Sequence, residues 1–392
     1  MLKILHITFE APSRRSGGGL GILQSLIATS STGIVDYLGP EYDSSEFSEV
    51  KINKYIFLKK EKNAFRKIKS LILGVSMGNY YPWMDACKKI EASQYDVIYI
   101  DFSRHDYIVR WAKENKKPVI VRVHNVEQDY FKRVAISKGE SMVRFASVLK
   151  YFSMKKRERY CMKHADKLLF LTENDLNRAD ELYGVHSRRN SIQIMPVCIQ
   201  NKNSSNVHAN ISTKYFLITG SLWYGANADG VKWFINNVWS KASKLFDDYA
   251  LVVAGSRPNE EIREACAKAC RCILVESPDD MAPYFNDASF YIAPVFDGAG
   301  MKVKVAEAMS YGLPVIGTKH AMIGYERSLE VNKVICTDDE CLKAMTELYN
   351  NVQSFDKNRV KQIFNKYYDM SVSEKIVKNA IESIRRNIND NN

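Results

Sequence analysis

Between Val295 and Thr318 the chain reads VFDGAGMKVKVAEAMSYGLPVIGT. The glycines of this stretch let backbone N–H groups approach an oxygen-rich ligand, and a helix opening behind them favours an anion. Lys302 and Lys304 add full positive charges that suit a diphosphate as point charges. Glu307 cannot serve a phosphate, so its carboxylate needs hydroxyls to accept from, and a ribose diol fits. Phosphate and diol within a dozen residues describe a nucleotide. A helix start with a solvated Lys/Glu face is the plainer reading of each residue taken singly.

Three further segments carry chemistry. SGGGLGILQSL (Ser16–Leu26) offers a second glycine loop, with Gly18 and Gly19 at its centre. Its spacing fits neither G-x-G-x-x-G, since Gln24 stands where the third glycine belongs, nor the G-K-[ST] ending of a P-loop. VIVRVHNVEQDYF (Val119–Phe131) places His124 where a strand ends. A histidine there exchanges hydrogen bonds with a substrate hydroxyl or a developing charge, or is satisfied by its neighbours. From Lys132 to Lys163 ten Lys/Arg face two Glu, with Met142, Phe145, Leu149 and Phe152 at helical spacing. Such a helix lies on an anionic membrane, or packs on a core with a basic solvated face. The three thiols of CAKACRC (Cys266, Cys270, Cys272) lack a fourth ligand and a nearby histidine, so they read as unbridged thiols rather than zinc ligands. No D-x-D pair occurs, and no obligatory metal or other cofactor is expected.

The elements that must position these residues follow from the pattern. Short β-rich runs alternate with helical stretches: Lys3–Phe9, Asp96–Phe102, Pro118–His124, Lys167–Thr172 and Ser191–Val197. After a polar break at Asn201–Asn210 come Tyr215–Thr219, Ala250–Ala254, Cys272–Glu276, Phe290–Pro294 and Pro314–Gly317. Runs spaced by helices predict parallel sheets of βαβ units. With 392 residues, this means two doubly wound α/β domains facing a central cleft, with ligands at the carboxyl ends of strands. The expected division is 1–200, 209–370, and a C-terminal helix and tail at 371–392 that folds back on the first domain. Val303–Tyr311 should be a helix closed by Gly312 in a left-handed conformation.

Charge is divided unevenly. Residues 1–200 hold 33 Lys+Arg against 22 Asp+Glu, and the remainder 23 against 23, so the whole excess of +11 sits in the first half. This half is the one expected to meet something anionic. Eight cysteines without secretory features suggest reduced thiols in the cytoplasm, and no apolar run is long enough to span a bilayer.

With these residues on the page, the chain resembles the retaining glycosyltransferases of GT-B fold, the glycosyltransferase group 1 family, in its cell-surface polysaccharide branch. GAGMKVKVAEAMSYGLPVIGT is similar to that family's donor signature. TGSLWYGANADGVKWF (Thr219–Phe234) resembles the opening of its second domain, SGGGLG its first glycine loop, and VRVHNVE its histidine segment. The resemblance implies that Glu307 holds the ribose and Lys304, with Lys302, the diphosphate. Gly300 and Met301 would offer backbone N–H groups, His124 would face the sugar, and Gly18 and Gly19 would border phosphate and acceptor. Two positions depart from the pattern. Ala299 stands where a second glutamate belongs, leaving Asp297 as the nearest carboxylate. Ser221 follows Gly220 where the family has arginine.

The implied activity is transfer of a hexosyl unit from a nucleoside diphosphate sugar to a saccharide acceptor, lipid-linked in surface polysaccharide synthesis. It would take place in the cytoplasm or at the inner face of the plasma membrane, without nucleic acid. A sugar-nucleotide 2-epimerase of the same architecture and a decayed glycan-binding or scaffold protein are the rival expectations.

Overall fold

The computed structural model of the chain describes residues 2–14, 16–136, 141–201, 207–298, 300–351 and 356–390; the side chains of 141–146 and 387–390 fall outside it as well. The polypeptide divides into two compact units, Met1–Val197 with Met370–Asn392, and Cys198–Asp369.

The first unit holds seven strands: β1 (Lys3–Ile7), β2 (Ile34–Gly39), β3 (Ile52–Phe57), β4 (Val97–Asp101), β5 (Val119–Val123), β6 (Lys167–Phe170) and β7 (Ile192–Ile194). Its helices are α1 (Gly17–Ser30), α2 (Ala64–Ile72), α3 (Tyr80–Cys87), α4 (Asp106–Glu114), α5 (Glu127–Ile136), α6 (Ser141–His164) and α7 (Glu173–Tyr183). The sheet is parallel in the order β3-β2-β1-β4-β5-β6-β7, so the winding reverses between β1 and β4. Strand residues point alternately to the two faces. Leu5, Ile7, Ile98, Ile100 and Val121 pack with Ile108 and Cys161 on one face. Ile4, Val97, Tyr99 and Ile120 pack with Ala28 on the other.

The second unit holds β8 (Lys214–Ser221), β9 (Tyr249–Ser256), β10 (Cys272–Glu276), β11 (Phe290–Ala293), β12 (Val315–Thr318) and β13 (Lys333–Ile335). Its helices are α8 (Gly225–Trp233), α9 (Ser240–Leu245), α10 (Glu260–Lys268), α11 (Ala282–Asp287), α12 (Val303–Ser310), α13 (Asp338–Asn350) and α14 (Lys357–Tyr367). The sheet is again parallel, ordered β10-β9-β8-β11-β12-β13, with its reversal between β8 and β11. The last helix, α15 (Met370–Asp390), belongs to the first unit: Val377, Ala380, Ile381 and Ile384 complete the face that holds Ile4 and Ala28.

Two doubly wound α/β units were expected, and two are present. The expected runs each fall on a strand, but three strands were not anticipated. β2 carries a buried Asp36, β3 is an edge strand interrupted by Asn53 and Lys54, and β13 is a three-residue edge. The expected linker lies partly outside the described residues, at 202–206, as do Ala299 and the side chains of Met142 and Phe145. Along the described part of α6, Met154, Glu158, Cys161 and Met162 are buried while Phe152 is 72% exposed, so the helix packs on the core and still shows an apolar residue.

Candidate functional site

In an open parallel sheet, the crevice for a ligand lies beyond the carboxyl ends of the strands where the order reverses. In the second unit that place is the end of β8 and β11. Lys304, in the first turn of α12, reaches back to it: its ammonium donates to Thr219 O at 2.8 Å and Asn227 Oδ1 at 2.9 Å. Asn227 is fixed in turn by donating from Nδ2 to Ser221 O at 3.1 Å. Burial, and then the like charge of Lys302, pull the Lys304 pKa down to about 8 against the opposing pull of Glu307. A lysine thus held rests on two neutral amide oxygens, which do not cancel its charge.

Glycines make the approach possible. A Cβ on Gly220 would stand 2.9 Å from the Lys304 ammonium. One on Gly230 would come within 1.7 Å of Pro294 O, so α8 seats against the end of β11 only because no side chain intervenes. The loop before α12 turns through Gly298 and Gly300, both at positive φ (106° and 67°). Lys302 closes this loop, its ammonium donating to Gly298 O and Gly300 O, both at 2.9 Å. Asp297 accepts from the N–H of Gly298 at 2.6 Å, and His320 Nε2 lies 2.6 Å from Gly298 O. Buried Tyr325 sets the first turn of α12, donating to Lys302 O and accepting from the Ala306 N–H. Met301 is buried with its side chain over Gly324. Glu307 lies one turn beyond Lys304, partly exposed. The helix closes at Gly312, φ +80°, whose N–H reaches Met309 O while that of Leu313 reaches Ala308 O.

The structure therefore gathers Lys304 and Ser221 with Thr219, Gly220 and Asn227 at the strand reversal. Lys302 and Asp297 spend their polar groups on the loop itself.

In the first unit, His6, Asp101 and His124 share the sheet face toward α1, because each has the parity of Ile4, Tyr99 and Ile120. Along α1, Gly21, Ser25 and Thr29 form one row at four-residue spacing, which meets them. Asp101, fully buried, accepts from His6 Nε2 at 2.8 Å, His124 Nε2 at 2.8 Å and Ser25 Oγ at 3.0 Å. His6 Nδ1 lies 2.9 Å from Thr29 Oγ1. Burial alone would raise the Asp101 pKa; the hydrogen bonds from His124 and His6 overcome it and hold the carboxyl well below the carboxylate range. Burial lowers His124 despite the pull of Asp101. With Asp101 ionised and His124 neutral, the His124 proton sits on Nε2 and Nδ1 is an acceptor.

Room for that ring is also made by glycine, since a Cβ on Gly21 would lie 2.7 Å from His124 Cε1. Its other neighbour is Phe102, stacked at 4.3 Å, with the Arg104 guanidinium 4.2 Å above the phenyl ring. Phe102 is held at φ +73°, a conformation costly for a bulky residue and found where surroundings over-determine it. Gly18 and Gly19 lie in the first turn of α1, where Ser16 Oγ caps the Gly19 N–H. Gly18 borders Glu10, and Gly19 packs on Ser13. His6, Asp101, Ser25 and Phe102 were not anticipated. The available signal was a histidine and an aspartate inside otherwise apolar strands, KILHI and VIYID.

Comparisons with known proteins agree with this architecture. Residues 213–351 match the family described as Glycosyl transferases group 1. Over 360 residues the chain is 24% identical to an uncharacterized 44.6 kDa protein in the cps region of Klebsiella pneumoniae, covering 86% of this chain and 88% of that one. Among solved structures, HepE of Anabaena in complex with UDP superposes with a TM-score of 0.62 at 10% identity, covering 98% of this chain and all of that one. WaaG, a glycosyltransferase involved in lipopolysaccharide biosynthesis, gives 0.62 at 14% identity, over 95% and 98% of the two chains. The two units have the GT-B architecture, and the second carries a glycosyltransferase group 1 domain, which makes the chain a glycosyltransferase.

Proposed function

We propose that the protein transfers a hexosyl unit, with retention, from a nucleoside diphosphate sugar to a saccharide acceptor in the assembly of a surface polysaccharide. The observation that carries this reading is the Lys304 ammonium, partly buried at the reversal of the second sheet and held, among the described residues, by Thr219 O and Asn227 Oδ1. Diphosphate departure needs positive charge placed in advance in a water-poor site. Lys304 supplies it, with backbone N–H groups of the Gly300–Met301 turn and the start of α12 beside it. Glu307 accepts from the ribose hydroxyls, and Ser221 stands at the phosphate end of β8. In the first unit His124, its proton fixed on Asp101, accepts a hydrogen bond from a sugar hydroxyl through Nδ1. On this reading the departing phosphate takes the acceptor's proton, and no protein nucleophile is required. HepE in complex with UDP supports a nucleotide donor, and WaaG supports surface saccharide synthesis.

Acceptors of this kind are lipid-linked, and α2 offers a surface for the bilayer. Phe65, Ile68 and Ile72 are 73%, 58% and 78% exposed, with Lys59, Lys60, Lys62, Lys67 and Lys69 exposed around them. Apolar side chains ringed by lysines suit an anionic leaflet. Vesicles with phosphatidylglycerol should pellet the protein and neutral vesicles should not; equal recovery in both would remove the membrane from this reading.

The direct test is a screen of nucleoside diphosphate sugars for a raised thermal midpoint, since a ligand of the native state stabilises it. One donor class should do so, and Lys304→Ala and Glu307→Ala should each abolish most turnover. Near-normal turnover in both variants would sink the assignment. Epimerised donor appearing without acceptor would replace transfer by epimerisation.

A further inference from the structure

The first unit contains a pocket of about 260 Å³ that the donor chemistry does not use. Glu10 follows β1 and Arg104 follows β4, so it opens at the carboxyl ends of the strands where the sheet order reverses. Lys150 of α6, Tyr130 of α5, His105 and Asn79 line it with them. Its volume is near the lower end of the roughly 300–1,000 Å³ of small-ligand sites, enough for one substituted monosaccharide.

Its polar groups are incompletely matched. Arg104 is shared between Glu10 and Glu127, the latter at 3.3 Å. The Lys150 ammonium forms no ion pair or hydrogen bond among the described residues and lies 5.2 Å over the Phe131 ring. Burial and then the repulsion of Arg104 lower its pKa, against a weaker pull from Glu127. His105, 2% exposed, places Nδ1 2.9 Å from the Tyr107 hydroxyl, while its buried Nε2 has no partner among the described residues. Glu10 offsets the charge of Arg104, while burial raises the Glu127 pKa to about 7, so that carboxyl is only partly ionised at neutral pH and leaves Lys150 incompletely balanced. A buried nitrogen without a partner beside a lysine without a counter-ion describes a site for a ligand with both a hydroxyl and an anion.

We propose that this pocket binds an acceptor monosaccharide bearing an anionic oxygen group, the anion on Lys150 and Arg104 and a hydroxyl on His105 Nε2. This rests on the glycosyltransferase reading for the word acceptor, but the binding itself does not. An aromatic wall from Tyr130 suits the C–H face of a sugar ring. Phosphate and carboxylate share this chemistry, and a lipid-linked sugar phosphate and an acidic sugar residue are its two sources.

The test uses the full chain and three probes: methyl glucoside 6-phosphate, methyl glucuronide and methyl glucoside, their affinities read by ligand-observed NMR. The anionic probes should bind at least ten-fold more tightly than the neutral one, and the better of the two identifies the source. Lys150→Met should erase that gap and Lys150→Arg should keep it. His105→Phe should weaken all three probes alike. Equal binding of the three by the wild-type protein, or a gap that survives Lys150→Met, overturns the proposal. Should no donor support transfer while the gap behaves as expected, the catalytic reading falls and the site stands.

Discussion

The two strand reversals carry opposite designs. At the end of β4, Asp101 sits in an internally completed network, its oxygens taken by two histidines and a serine. At the end of β8, Lys304 rests on two neutral oxygens and has been desolvated enough to bring its pKa to about 8. The first cluster is built for the fold, and it fixes the ring of His124. The second leaves a desolvated cation on neutral oxygens, which costs the fold stability. Stability and activity should therefore separate when each is mutated.

The largest effect is expected at the second site. Lys304→Met keeps the aliphatic stem and deletes the partly buried charge, so the thermal midpoint should hold or rise while turnover falls by roughly 10²–10³-fold, as for loss of a preorganised charge stabiliser. The same variant should lose the midpoint shift given by the donor. In the wild type, donor binding should weaken above pH 8, where free Lys304 deprotonates, and take up protons there, measurable by calorimetry in buffers of different ionisation enthalpy. A variant that unfolds would erase the contrast between the two sites.

Next in size is Asp101→Asn. Breaking a buried, paired charge costs about 3–5 kcal/mol, and the amide would also turn N–H against N–H at one histidine. Its midpoint should drop by several degrees while the donor-induced shift persists. The Asp101 carboxyl is held below its unfolded value, so its contribution is complete above about pH 4 and fades as pH falls through the folded value. An unchanged midpoint at neutral pH would show that the network does not support the fold.

The smallest effect probes the border between the designs. Glu127, 1% exposed, has its folded-state pKa raised from 4.5 to about 7. The folded protein binds that proton more tightly than the unfolded chain, so wild-type stability declines as pH climbs between those values. Glu127→Gln cannot titrate. Its midpoint minus that of the wild type should grow by a few degrees from pH 4.5 to 7 and then level off. A constant difference would mean that Arg104 already keeps the carboxylate charged.

Sequence revealed the second site more readily than the first, for a physical reason. Lys302, Lys304 and Glu307 lie within one loop and one helical turn, so local spacing carries their chemistry. The Asp101 network joins side chains 95, 76 and 23 positions away. The parity of β1, β4 and β5 and the four-residue row of α1 link them, and parity becomes informative once the strand order is known. His124 was visible because it ends a strand; the residues that fix its proton were not. Local spacing also offered Lys302 as a phosphate ligand, whereas folded geometry sets its ammonium on Gly298 O and Gly300 O. The length of a lysine side chain permits either, and a sequence does not show which carbonyls lie within reach.

The return of α15 to the first unit has a consequence for biosynthesis. Val377, Ala380, Ile381 and Ile384 share a core with Ile4, Ala28 and Val35, so β1 awaits a helix that is synthesised only after the whole second unit. During translation the second unit, continuous from Cys198 to Asp369, can close before the first is complete. Until then an apolar face of β1 and α1 stays open, and a premature stop near residue 370 would spare the Lys304 cluster yet leave the first unit unfinished.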